Sequence, residues 1–241
     1  MGKWMMTILF LIVSAFLTRV LPFSDYFRNV DTMIHEFGHA VVTLLLSGKV
    51  YSISLFSDHS GVTQSAITRG WALIPVGLAG YMTASLTAWL LFRLDAKGRE
   101  GMGMKAVLLV AIVSLLLFVR NQFGVLWLLG FIVLTALILL FAGRTVGRIY
   151  YLIVAFLTLE ESVMGPFSLV LYALENPAQA GDATLLAIHS PLPAVVWALL
   201  LTLFALWCAT KALAAFLASS KSRPGRGAGQ SSGMRLRGER F

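Results

Sequence analysis

Apolar runs long enough to cross a bilayer recur along the whole chain, and this constrains the fold more than any other feature. They are Trp4–Leu21, Thr32–Leu46, Gly70–Leu94, Met104–Val119, Phe123–Ala142, Ile149–Leu174 and Pro191–Leu217. The hydrocarbon core takes about 20 helical residues. Inside lipid every backbone polar group needs an internal partner, which leaves helices or closed barrels. Runs of this length are helical. The expected fold is therefore an all-α multi-pass membrane protein with about six or seven transmembrane helices. Only 12% of the residues are charged and 58% are hydrophobic, against roughly 25% charged in a soluble domain. A soluble globular protein and a disordered chain are excluded, and the single Cys208 excludes a disulfide scaffold or a cysteine-rich zinc fold. Lys3 precedes the first run, but no small-x-small cleavage site follows it, so it reads as a retained helix.

Charge is concentrated at one end. Residues 211–241 carry seven cations and the lone acid Glu239, which is +6 of the net +8. The expected organisation is a membrane-embedded domain over 1–218 and a disordered basic tail over 219–241. No aromatic residue interleaves with the tail's cations apart from terminal Phe241, so the tail reads as a cytoplasmic, lipid-facing end and not as a nucleic-acid site. The basic loops 93–105 and 143–148 belong on the same side, and the loop 175–190, without Lys or Arg, on the other. Insertion in the plasma membrane follows.

Between the second and third runs, Lys49–Thr68 reads as two β-branched stretches around the turn-rich centre Ser57-Asp58-His59-Ser60-Gly61. This predicts a small β-hairpin, buried in protein or lying at the interface. In the third run, Gly77, Gly80 and Ala84 form a small-residue packing face.

The second run carries His35-Glu36-Phe37-Gly38-His39. Residues four apart on a helix point within about 40° of each other, so His35 and His39 can share one metal ion. Glu36 lies beside them as a general base for a water molecule, and the pattern is that of zinc hydrolases. Asp31 or Thr32 is the expected helix cap. Three ionisable groups within five residues of an apolar helix are costly unless they serve a purpose. A catalytic zinc keeps three protein ligands and one open position. The remaining donors are His59, His189, Glu160, Glu161, Glu175 and Asp182. Asp182 follows Gly181 at the start of an apolar helical stretch, where it serves either as third ligand or as a helix N-cap. Glu160 and Glu161 are the fallback.

The segment His35-Glu36-Phe37-Gly38-His39-Ala40, a following β-segment and a distant Asp182 resemble the site-2-protease group of intramembrane zinc metallopeptidases, and within it the small divergent bacterial branch. The resemblance spans roughly residues 25–200. It implies that His35, His39 and Asp182 bind Zn2+, that Glu36 is the base, and that the substrate is a transmembrane protein cut within or near its membrane helix. The group places its aspartate in Leu-Asp-Gly, often after Asn-Pro. Here Asn176-Pro177 precedes Asp182 in a Gly-Asp-Ala setting.

Basic loops put His35 and Asp182 at opposite membrane faces. They can meet only if one segment dips in and returns, or if Ile149–Leu174 breaks at Gly165-Pro166. A substrate segment would be held by β-augmentation on an edge within Lys49–Thr68, with Tyr51–Leu55 the stretch to perturb. The competing readings are a transporter or ion path using His35, Glu36, Glu160 and Glu161, and an inactive relative.

Overall fold

The computed structural model describes residues 24–221. The expected first helix Trp4–Leu21 and nearly all of the basic tail lie outside them. The order is α1 (Ser24–Leu45), β1 (Lys49–Leu55), β2 (Gly61–Ala66), α2 (Leu73–Ala96), α3 (Glu100–Val113), α4 (Gln122–Phe141), α5 (Arg144–Glu175), α6 (Gly181–Ile188) and α7 (Ala194–Lys221). Among the described residues five helices are long and apolar enough to cross a membrane: Gly70–Ala96, Glu100–Phe118, Gln122–Phe141, Arg144–Glu175 and Ala194–Ser219. The protein is a helical membrane bundle with one two-stranded antiparallel hairpin.

The motif helix α1 starts well before Asp31 and Thr32, which lie inside it and do not cap it. The extra turns exist because residues ahead of the motif find partners. Trp127 Nε1 donates to the Tyr26 carbonyl at 2.9 Å, and Phe27 meets Tyr150 edge-on at 5.7 Å. Thr32 instead donates its hydroxyl to the His59 carbonyl at 2.8 Å, tying the hairpin turn back along α1.

Glycines set how closely α1 approaches α2. A Cβ at Gly38 would stand 2.9 Å from the Ala79 carbonyl, and one at Gly77 would meet Leu186 of α6. The small-residue face expected on the third run is thus the contact surface for both α1 and α6.

Helix α5 does not break at Gly165-Pro166; it runs unbroken for 32 residues with Pro166 inside. Proline removes the N–H that would have bonded the carbonyl four residues back, that of Ser162. Ser85 of α2 donates its hydroxyl to this carbonyl at 3.5 Å, so a neighbouring helix supplies the missing donor. The reversal comes later. After Asn176 the chain forms a short 3-10 turn (Pro177–Gln179) and doubles back as the eight-residue α6. The turn carries its own polar satisfaction: Thr184 Oγ1 accepts from the Ala180 N–H at 2.9 Å and donates to the Pro177 carbonyl at 2.7 Å.

The hairpin lies against α1. Its β1 edge is already occupied, which removes Tyr51–Leu55 as the open edge. The chain between α3 and α4 bridges Ile53 through Val119, Arg120 N–H donates to the Ile53 carbonyl at 3.3 Å, and Asn121 bonds both backbone groups of Leu55. A one-turn π segment, Ser114–Phe118, releases the chain for this contact. Strand β2 is largely exposed.

At the opposite end, the buried Asp95 of α2 meets Arg148 of α5 at 3.3 Å and Ser219 of α7 at 3.5 Å. The α2–α3 and α4–α5 connections therefore share one end of the bundle with the C-terminus of α7.

Candidate metal centre

His35 and His39 project from one face of α1 with their Nε2 atoms 2.9 Å apart. Asp182, from the first turn of α6, places Oδ2 3.3 Å from His35 Nε2 and 3.2 Å from His39 Nε2. The Asp182 side chain does not cap α6; it faces the imidazoles. A tetrahedral ion 2.0–2.1 Å from its donors holds them about 3.3 Å apart, close to these three separations. The three side chains would be its protein ligands, the number that a catalytic zinc takes. The donor set, two imidazoles and one carboxylate, therefore fits a zinc-type site, and among the described residues it is the group able to hold a metal.

The surroundings orient these atoms. His39 Nδ1 donates to the Val76 carbonyl at 2.7 Å. This fixes the tautomer and turns the Nε2 lone pair toward the other donors, as metal-ligating histidines require. Gly80 makes room for the pair: a Cβ there would lie 2.5 Å from His35 Nε2 and from His39 Nε2. The Tyr81 ring packs edge-on against His35, with centroids 4.4 Å apart.

Glu36 is buried beside the donors. Its Oε2 accepts from Thr63 Oγ1 of β2 at 2.6 Å. Gly61 opens the space, since a Cβ there would meet Glu36 Oε1 at 2.7 Å. Thr63, Gly80 and Tyr81 have roles that spacing did not reveal. Gly80 had a signal only as part of the small-residue face.

The other donors go elsewhere. Glu161 pairs with Arg28 at 2.5 Å, and Glu160 is buried apart from the histidines. His189 closes the end of α6 on the Leu185 carbonyl. His59 sits in the hairpin turn at positive φ, 3.7 Å from Asp25. Burial, aided by Arg28, lowers its imidazole pKa below the ordinary range.

Comparison with curated proteins and with solved structures returns no match. A family model described as peptidase M50B-like matches residues 5–212. That range takes in every element described here except the end of α7, including the motif helix, the hairpin and α6, so the chain belongs to the peptidase M50B-like family, the site-2-protease-like group of membrane metallopeptidases.

Proposed function

We propose that the protein is an intramembrane zinc endopeptidase that hydrolyses membrane-protein substrates within or near their transmembrane segments. The observation carrying this reading is the convergence of His35 Nε2, His39 Nε2 and Asp182 Oδ2 within 3.3 Å, from two segments remote in sequence. Zinc, when bound, supplies Lewis-acid chemistry to the attacking water and the substrate carbonyl. His35, His39 and Asp182 would hold it. Glu36 takes a proton from the water as the water oxygen adds to the carbonyl carbon. It returns that proton to the amide nitrogen as the C–N bond breaks, leaving a carboxyl group and an amine. Thr63 aims the Glu36 carboxylate.

A membrane helix must unwind before its carbonyls can be attacked. Strand β2 carries Thr63 beside Glu36, and the edge it turns away from β1 supports the reading that an unwound substrate pairs there. Clustering of the basic loops at one end supports a plasma-membrane protein with its C-terminal tail in the cytoplasm.

The test uses wild type and Glu36→Gln purified in detergent, with a synthetic single-span peptide bearing an apolar stretch of about 20 residues. The expected result is about one zinc per chain in both and cleavage by wild type alone. Glu36-dependent ion flux in vesicles with no metal requirement would overturn the reading in favour of an ion path.

A further inference from the structure

Two tyrosines of α5 spend their hydroxyls on the fold. Tyr150 shares a 2.7 Å hydrogen bond with Thr135, and Tyr151 donates to the Leu91 carbonyl at 2.7 Å. Tyr81 of α2 does not. Its ring is held between the His35 imidazole, 4.4 Å away, and Gly165 of α5, where a Cβ would stand 2.9 Å from Tyr81 Cε1. The residue is half-buried, and no hydrogen bond of its hydroxyl is found among the described residues. His35 is one of the three donors, so the phenol stands beside the site. Phenols in such positions normally find an acceptor.

Peptide hydrolysis creates an acceptor there. As water adds, the scissile carbonyl oxygen gains negative charge and needs a donor fixed in advance. Three nearby side-chain donors are already engaged. His39 Nδ1–H is spent on Val76, Thr63 Oγ1–H on Glu36, and Arg28 on Glu161. The Nε2 atoms of both histidines face the Asp182 carboxylate, and ionised carboxylates only accept. We propose that Tyr81 is a catalytic residue: its phenolic O–H donates to the scissile carbonyl oxygen as that oxygen becomes an anion. The phenol keeps its proton throughout. This assignment rests on the peptidase reading.

Full-length wild type, Tyr81→Phe and Tyr81→Leu are compared in detergent. Three quantities are read: zinc affinity by chelator competition, affinity for a phosphinic peptide mimicking the tetrahedral anion, and kcat and KM on the single-span peptide. Phenylalanine keeps the ring against His35 and removes only the donor. Tyr81→Phe should keep wild-type zinc affinity and KM, lower kcat by about 10²–10³-fold, and weaken phosphinic binding in parallel. Tyr81→Leu should lose zinc affinity as well. Wild-type kcat and phosphinic affinity in Tyr81→Phe would overturn the proposal, as would loss of zinc by Tyr81→Phe to the extent seen in Tyr81→Leu, which would make the ring a packing wall only. Failure of wild type to cleave in a Glu36-dependent way removes the peptidase reading and Tyr81's role together. Glu36-dependent cleavage with Tyr81→Phe unaffected removes Tyr81 alone.

Discussion

Replacing Gly80 with alanine adds one methyl group where the two motif imidazoles converge. The new Cβ would stand 2.5 Å from His35 Nε2 and Cε1 and from His39 Nε2. Ordinary contact is about 3.5 Å, so the methyl intrudes by about 1 Å. Neither ring can yield cheaply. His39 is tied through Nδ1 to Val76, on the same helix as Gly80, and His35 is backed by the Tyr81 ring. Helix α1 cannot retreat as a whole without breaking its close approach at Gly38. Metal sites tolerate donor displacements of about 0.2 Å. At least one nitrogen would be moved several times that far. Zinc affinity should fall at least 100-fold, about 2.7 kcal/mol. The overpacking itself costs the fold about 1–3 kcal/mol, so the variant should remain folded with a lower melting temperature. Zinc per chain after dialysis against graded chelators, read beside a thermal melt followed by circular dichroism, separates the two effects. Gly147→Ala is the control, because nothing lies within 4 Å of the Cβ it adds. Wild-type zinc affinity in Gly80→Ala would refute the placement of both imidazoles as donors.

Thr63→Val should retain zinc and lower kcat about tenfold, because the 2.6 Å bond aiming Glu36 is lost; Thr63→Ser should restore most of the rate, and turnover beside metal content checks this. Asn121→Ala strips partners from both backbone groups of the fully buried Leu55. It should destabilise the docked hairpin by about 2 kcal/mol, seen as faster proteolysis at the 56–60 turn without a matching fall in helix content. His59 has a folded-state pKa below its unfolded value, so its contribution to stability is present above the unfolded value and is lost as pH falls through the folded one. Between pH 7.5 and 5 the hairpin turn should become more protease-sensitive in wild type. In His59→Asn, which tolerates the positive φ, that acid-side change should flatten.

The sequence determined by itself whatever depends on local geometry. Helical periodicity alone aims His35 and His39 at one point, the length of the apolar runs alone demands membrane helices, and the β-branched stretches around Asp58-His59-Ser60 alone make a hairpin. That α1 includes the turns ahead of Asp31 was not local: Tyr26 and Phe27 are held there by Trp127 and Tyr150. The continuity of α5 through Pro166 was not local either, since the hydroxyl serving the Ser162 carbonyl belongs to α2. Asp182 was one acid among several until α6 turned back and α2 received it, with Leu186 packed over Gly77. Thr63 and Tyr81 carried no signal, because a threonine in a strand or a tyrosine in an apolar helix is ordinary until its neighbour is known. Spacing along a chain fixes direction within one element. Only the packing of α1, α2, α5, α6 and the hairpin decides which donors meet, because those separations are set by side-chain volume and hydrogen-bond satisfaction between elements.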